Sequence, residues 1–256
     1  MTTVPAFRAA GTGQSDGATS VVIAKPSGAI EGDFCFALIT YDSGPAQNFT
    51  HAEWTEFSEG SFGFASRRYD LLYRVLDASE PSSWTFTCDN AVTACLGDIV
   101  AYYDGELGTP TVSGGDDTGG NVVAPDTMTI LTAVDDGSVN RLVLYFGGEV
   151  RSSGSGTVSV TSPASERVDH NGTALGWEGK SQFICDEVVG GGAYPAQDFT
   201  VSLSSPGNIG AAVLRVKYLF VGVDDARAEG EQIDLRLLKV EVQELPFMLH
   251  TRMGDF

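Results

Sequence analysis

The sequence predicts an all-β protein: an antiparallel two-sheet sandwich, jelly-roll-like, with an extended C-terminal arm. Two observations lead to this fold class. The chain of 256 residues contains 31 glycines and many serines and threonines, a composition typical of strands joined by turns. About eleven short apolar runs alternate with clusters of Gly, Pro, Asp, Asn and Ser, and no helical stripe longer than two turns precedes residue 224.

The predicted strands follow one another along most of the chain. In residues 198–205, Phe199, Val201 and Leu203 alternate with polar neighbours, as in a half-buried strand. "GTGQSDG" (11–17) is interpreted as a turn and "SGGDDTGGN" (113–121) as a long loop within one domain. The predicted strands are 20–24, 33–41, 62–76, 83–88, 95–105, 127–134, 141–150, 157–161, 174–189, 198–205 and 210–223.

The stretch "KPSGAIEGDFCFALIT" (25–40) contains two turn signals followed by an uninterrupted apolar run. Pro26-Ser27-Gly28 and Glu31-Gly32-Asp33 are predicted to be turns that bracket a short link. From Phe34 through Thr40 the apolar residues do not alternate with polar ones. We therefore expect a strand that is buried on both faces.

Composition and charge restrict the classes of function. The formal net charge of −19 argues against a surface that follows nucleic-acid phosphates, because like charges repel. No run approaches eighteen apolar residues and the N-terminus shows no secretory pattern, so neither a membrane span nor a signal peptide is expected. The acidic balance is typical of a solvated surface.

The four cysteines, Cys35, Cys88, Cys95 and Cys185, form no C-x-x-C pair. Cys35 in "FCF" and Cys185 in "FIC" have apolar neighbours, where buried free thiols are usual. Cys88 and Cys95 could close a short hairpin. We predict four reduced thiols in a chain assembled in a cytoplasm.

A search for catalytic and metal-binding patterns leads to no site. Neither G-x-S-x-G nor a P-loop is present, and His51, His170 and His250 lack the spacing of a zinc site. Paired aspartates in loops could gather oxygen ligands around calcium, but the D-x-[DN]-x-[DN]-G spacing is missing. We predict no catalytic residue, no metal ligand and no cofactor. The aspartate pairs are Asp116-Asp117, Asp135-Asp136 and Asp224-Asp225.

Aromatic residues supply the candidates for glycan binding. Trp54 and Trp177 are the candidate sugar platforms, although Trp54 stands at a strand start, where a role in capping the core is commoner. Tyr102 and Tyr103 are adjacent in a predicted strand and therefore point to opposite faces, so one of them is expected in the core.

The chain changes character after Val223. We predict an N-terminal arm (1–17), a β-sandwich domain (18–223) and a C-terminal anchoring arm (224–256). The last region is rich in apolar residues with little sequence left to cover them, which favours docking on its own domain or on another subunit. The predicted partner-binding residues of the arm are Leu235, Leu237, Val240, Val242, Phe247, Met248, Leu249 and Phe256.

An ordered series of motifs resembles a β-sandwich module of tailed-bacteriophage virion proteins and their prophage relatives. The series begins with "SVVIAKPSGAIEGDFCFALITYDSG", continues with "EWTEF" and "YRVLDASEPSSWTFT", and ends with "GDIVAYYDG". It covers residues 18 to 105 by motif and continues to about 218 by general pattern. The family usually has Gly before its tryptophan, whereas Glu53 precedes Trp54 in this chain.

The resemblance implies a non-enzymatic structural protein of the virion, assembled in the host cytoplasm. We expect a head decoration or cement protein, a homo-oligomer on the particle that binds capsid or tail subunits and neither nucleic acid nor membrane. The alternative is a tail or fibre component that binds a host surface glycan. A carbohydrate-active hydrolase on the same scaffold is a third hypothesis, since carboxylates are plentiful.

Overall fold

The structure is a computed structural model, and the residues it describes form strands, turns and links with no helix among them. This confirms the predicted all-β class. The described residues are 5–16, 18–42, 47–61, 67–103, 106–112, 117–118, 126–130, 141–151, 159–160, 165–172, 180–189, 197–202 and 207–219.

Sixteen strands are present in the described part of the chain. Their bounds are β1 Ala6–Asp16, β2 Ser20–Ala24, β3 Phe34–Asp42, β4 Thr55–Ser61, β5 Arg67–Val75, β6 Ser83–Thr87, β7 Ala94–Tyr103, β8 Glu106–Val112, β9 Asp117–Thr118, β10 Asp126–Ile130, β11 Arg141–Arg151, β12 Ser159–Val160, β13 Ser165–Asn171, β14 Lys180–Val189, β15 Gln197–Ser202 and β16 Gly207–Leu219.

These strands form two large and two small sheets, and every strand pair among the described residues is antiparallel. The five-stranded sheet has the order β1-β7-β3-β5-β4. The six-stranded sheet has the order β13-β14-β11-β16-β8, with β9 also paired to β16. The small sheets are β2-β6 and β10-β15-β12.

The five-stranded sheet is covered on both faces. Alternate residues of β3 face opposite ways: Phe36 and Leu38 pack against the six-stranded sheet, whereas Ala37 and Ile39 pack towards β2 and β6. All nine residues of β3 are buried, which confirms the strand buried on both faces that the sequence predicts. The core between the five- and six-stranded sheets contains, from the six-stranded sheet, Leu142, Leu144, Phe146, Val168 and Ile184. The core on the opposite face contains, from β2 and β6, Val21, Ile23, Trp84 and Phe86.

The link before β3 contains the two predicted turns. The Ala29 N–H donates to the Pro26 carbonyl at 3.1 Å, and the Asp33 N–H donates to the Ile30 carbonyl at 3.1 Å. Gly28 and Gly32 adopt φ values of 77° and 85°, a backbone conformation that favours glycine. Both turn predictions are confirmed.

The prediction of a turn at residues 11–17 is wrong where the structure describes them, because residues 11–16 continue β1. This strand pairs with β7 from Ala6 to Asp16, so residues 6–16 of the predicted N-terminal arm belong to the five-stranded sheet. Glycine is required there by close approach: a Cβ on Gly11 would lie 1.9 Å from the Ala24 carbonyl oxygen, and one on Gly13 would lie 2.0 Å from that of Val22. The missing side chains let β2 lie directly against β1.

Several other strands have no counterpart in the predicted list. They are β1, β4, β8, β9 and β13. The facing five- and six-stranded sheets have the layered arrangement of a sandwich, and β2-β6 adds a third layer. The jelly-roll path of the chain stays a prediction, and the C-terminal arm (224–256) lies outside the described residues.

Substituting Gly13 with Ala tests the close approach of β1 and β2. The added methyl group would meet backbone atoms that no side-chain rotation can move, so we expect Gly13→Ala to lower the free energy of unfolding by at least about 2 kcal/mol. Urea denaturation provides the measurement. The control is Thr12→Ala, an exposed position in the same strand, for which a change below about 0.5 kcal/mol is expected. Equal stability of the two variants would contradict the close approach.

Candidate functional site

A chain of polar side chains connects the two large sheets through their shared apolar core. The Thr40 hydroxyl of β3 donates to Gln182 Oε1 of β14 at 2.6 Å, and Gln182 Nε2 donates to Asp98 Oδ2 of β7. Asp98 Oδ1 lies 2.9 Å from His170 Nδ1 of β13. Four strands from two sheets therefore meet in one hydrogen-bonded group, which we call the Asp98 bridge.

Burial dominates the electrostatics of the Asp98 bridge. Asp98 is completely buried, which raises its pKa, while the hydrogen bonds and charge of His170 and the hydrogen bond from Gln182 act in the opposite direction. The His170 side chain keeps 14% of its surface exposed. The arrangement joins the two sheets through hydrogen bonds inside their shared core.

A second polar contact joins the same two sheets. The Tyr102 hydroxyl donates to Asp186 Oδ2 at 2.7 Å, and Arg167 Nε donates to Asp186 Oδ1 at 2.9 Å. The Arg167 guanidinium also lies over the Phe7 ring, 4.6 Å from its centroid. Both oxygens of this buried carboxylate thus have a donor, as a buried charge requires.

Arg74 forms a third polar cluster, at the end of β5. Its guanidinium contacts Glu53 at 2.5 Å, Glu80 at 2.8 Å and Asp77 at 3.1 Å. The carboxylate of Glu53, the residue before Trp54, supplies one of these ion pairs. An open groove of about 340 Å³ lies beside the cluster, lined by Glu53, Thr55, Tyr73, Arg74, Val75 and Asp77.

Asp70 is a buried carboxylate on the opposite face of the five-stranded sheet from the Asp98 bridge. The Phe49 N–H donates to its Oδ2 at 2.6 Å, whereas its Oδ1 has no hydrogen-bond partner within the described part of the chain. Burial raises the pKa of Asp70 to about 8, and the nearby charges of Glu56 and Glu59 act in the same direction. This carboxyl group therefore holds a proton near neutral pH.

The four cysteines are free in the structure, and Cys35, Cys95 and Cys185 are buried. Burial of Cys35 and Cys185 was predicted and is confirmed. Burial also raises the pKa of the Cys35 and Cys185 thiols, which keeps them protonated. These two cysteines act as packing residues.

Trp54, a predicted glycan platform, lies in the core. It is 6% exposed, and its ring makes edge contacts with Trp84 and Phe86 at centroid distances of 5.3 Å each. The indole is therefore a core residue rather than a stacking surface for a sugar, because its faces are covered.

The prediction that one of the two adjacent tyrosines lies in the core is confirmed. Tyr102 is 1% exposed, and Tyr103 is partly exposed with Arg8 over its ring.

Other predicted site residues lie outside the described part of the chain. They are Trp177 and all eight arm residues, Leu235, Leu237, Val240, Val242, Phe247, Met248, Leu249 and Phe256. Of the aspartate pairs considered for calcium, only the backbone of Asp117, in β9, is described. No cluster of metal-binding side chains occurs in the described residues.

Acidic residues within or next to apolar runs of the sequence indicate that buried polar contacts exist. Asp98 interrupts the apolar run "CLGDIVAYY", Asp70 interrupts "YDLLYRVL", and Asp186 follows "SQFIC". An acid inside a strand that is otherwise apolar must find a partner, since an unpaired buried charge is costly. The sequence could indicate that partners exist, but not that His170 and Gln182 are the partners of Asp98.

The chain was compared with protein-family models, curated proteins and solved structures, and none of the three comparisons returned a match. Within the described residues, no helix has the length and apolar character needed to cross a membrane.

Removing the Tyr102 hydroxyl tests the second polar contact. Tyr102→Phe leaves Asp186 with one donor fewer in a buried position, so we expect the free energy of unfolding to fall by about 1–3 kcal/mol. Tyr103→Phe is the matched control, because Tyr103 is partly exposed and the substitution keeps the ring below Arg8. Chemical denaturation compares the two variants, and similar losses for both would contradict a specific role of the Tyr102–Asp186 bond.

Asp70 predicts a pH dependence of stability with a defined sign. Its pKa is raised from 3.8 to about 8 in the folded chain, so between these values the folded chain holds a proton that the unfolded chain has released. Stability from this group is present at acid pH and is lost as the pH rises through about 8. The loss reaches up to about 1.4 kcal/mol per pH unit.

Asp70→Asn removes this titration. We expect the variant to gain stability relative to the unmodified chain as the pH rises from about 5 to about 8, measured by urea denaturation at each pH. Asp89→Asn, which changes an exposed carboxylate, serves as the control and should follow the unmodified chain. A constant difference between Asp70→Asn and the unmodified chain would show that Asp70 does not titrate in this range.

Proposed function

We propose that this chain is a non-enzymatic structural protein of a tailed-bacteriophage particle, a head decoration or cement protein anchored by its C-terminal arm. The observation that carries the proposal is the ordered motif series of residues 18–105 and its resemblance to the virion module. In the structure the residues of that series occupy β2 to β7, and they share one core with Trp54, Trp84 and Phe86 at its centre. The motif residues thus form part of the folded core, which is compatible with the proposal.

The chemistry of the chain fits attachment to a particle. The net charge of −19 would keep a densely decorated surface soluble, because neighbouring copies repel in solution and are held only where an anchor binds. Residues 224–256 supply the candidate anchor. Their alternating apolar residues are suited to strand addition to an exposed sheet edge, or to insertion in a groove of a capsid subunit.

The proposal includes a jelly-roll path of the chain. Residues 18–223 would follow the jelly-roll path of a two-sheet sandwich, with the five- and six-stranded sheets as its two halves. The covered central sheet supports a static role, since its buried faces leave the outer surfaces of the module for contact with a lattice.

The alternative is a tail or fibre component that binds a host glycan. It depends on an exposed aromatic surface, and Trp54 does not supply one because it is buried. Trp177 is the remaining candidate residue for that alternative. The virion placement common to both candidates does not depend on either tryptophan.

Loading onto particles tests the anchor. The full chain with Leu235→Asp and Leu237→Asp should lose most of its co-sedimentation with particles of the phage or prophage that encodes it, because the substitutions place charge on an apolar contact face. The matched control, Val22→Asp with Ile30→Asp, makes the same chemical change at two exposed apolar positions of the sandwich. It should load normally, and circular dichroism confirms that both variants are folded.

Two results would contradict the proposal at different levels. Full loading of the arm variant would show that these arm residues do not anchor the chain. Absence of the unmodified chain from purified particles, measured by mass spectrometry, would refute the virion role itself.

A further inference from the structure

We propose that the edge of β5 at Arg74 and Val75 is a strand-addition site for an extended segment of a partner protein that carries lysine or arginine. This site is separate from the proposed function, which assigns attachment to residues 224–256. Three features of the described residues carry it: a strand edge with no neighbour, a groove that follows this edge, and a net negative charge around the groove.

The edge exists because β4 is shorter than β5 at this end of the five-stranded sheet. Tyr73 of β5 pairs with Thr55, which is the first residue of β4. Val75 pairs with Phe34 of β3, and no strand among the described residues lies opposite it on the β4 side. The last turn of β5 is therefore open for pairing on one side.

The main-chain groups of Val75 point to the open side. The Leu76 N–H donates to the Asp33 carbonyl at 2.8 Å, and the Leu76 carbonyl accepts from the Gly32 N–H at 2.9 Å. Both polar groups of Leu76 are thus directed towards the link before β3. Successive residues of a strand direct these groups to opposite sides, so those of Val75 face the position that a longer β4 would occupy.

A groove of about 340 Å³ follows this edge. Tyr73 and Val75 lie on the face of β5 that packs with Phe34, whereas Arg74 lies on the opposite face with its pairing partner Cys35. All three β5 residues line the same groove. Side chains from both faces of a strand meet only around its edge, so the groove runs along the main chain that a partner strand would contact.

The side chains around the groove select a cationic partner. Arg74 already donates from each of its three guanidinium nitrogens, to Glu53, Asp77 and Glu80. Three carboxylates against one guanidinium leave a net negative charge, and the side chains of Glu53 and Asp77 are 55% and 81% exposed. A lysine or arginine of the partner therefore meets accessible carboxylate oxygens, whereas an acidic segment is repelled.

An apolar contact accompanies the charged one. Val75 is 53% exposed at the floor of this edge, and Tyr73 stacks on Phe34 with ring centroids 5.6 Å apart. Since side chains alternate along a strand, an added segment with basic and apolar residues in alternation can meet the carboxylates and Val75 at once. Exposed acids at an edge also discourage pairing with segments of other composition.

Peptide binding to the full chain tests the site. The probe is a fluorescent, acetylated octapeptide in which lysine and valine alternate, and its controls have proline in place of each valine or glutamate in place of each lysine. The proline peptide keeps the charge but cannot pair as a strand. We expect the lysine–valine peptide to bind at least about tenfold more tightly than either control, measured by fluorescence anisotropy at physiological salt.

Paired variants locate the binding. Glu53→Gln with Asp77→Asn should weaken binding of the lysine–valine peptide by at least about fivefold. The matched control, Asp89→Asn with Glu166→Gln, removes the same charge from exposed residues that do not line the groove, and it should bind normally. Amide hydrogen exchange should show that the peptide protects the Val75 N–H.

Three results would overturn the site. Equal binding of the lysine–valine and proline peptides would show attraction to an acidic surface without strand pairing. Unchanged exchange of the Val75 N–H in the peptide-bound chain would place the peptide elsewhere, and this readout decides the question even if the groove variant does not fold. Protection of that N–H that rises with protein concentration in the absence of peptide would identify a second copy as the occupant.

Discussion

The burial of the five-stranded sheet on both faces is the constraint on which the rest of the structure depends. A strand such as β3, all nine residues of which are buried, has no solvent face to which a polar side chain can turn. A charged group in a buried strand of this sheet must therefore meet a partner that another strand or layer supplies. Asp98, Asp70 and Arg74 are the places where this requirement is visible, and each is met in a different way.

The three solutions differ in what they do for the fold. Arg74 is surrounded by carboxylates that lie close in sequence or on the adjacent turn, so its ion pairs stabilise one end of a single sheet. Asp70 has a backbone donor from Phe49, and its burial raises its pKa. Asp98 has its partners on the other sheet, so its hydrogen bonds connect the two layers.

Buried ion pairs contribute less to stability than their short distances suggest, because removing both charges from water offsets much of the attraction. Their contribution here is to specify how the sheets are aligned. A purely apolar interface between two sheets permits sliding, whereas the bonds Thr40–Gln182–Asp98–His170 are satisfied in one alignment. For a proposed component of a particle lattice, a defined alignment of sheets matters because neighbouring copies must present the same surface.

Local pattern was sufficient where the chain interacts with itself over short distances. The strand Phe34–Asp42 was predictable from an apolar run between turns, since glycine at positive φ and the absence of polar alternation are local properties. The strand Ala6–Asp16 was not, because "GTGQSDG" has the composition of a turn and becomes a strand only where β7 pairs with it. The close approach of β2 explains why β1 has glycine at positions 11 and 13.

The sequence by itself determined the all-β class, the turns before β3, the burial of Cys35 and Cys185, and the opposite orientation of Tyr102 and Tyr103. Tertiary structure alone decided that Trp54 lies in the core, that three layers stack on one another, and that His170 meets Asp98 across 72 residues. The physical reason is the range of the forces involved. Backbone preference and hydrophobic period act over a few residues, whereas the partner of a buried charge depends on which distant strands pack together.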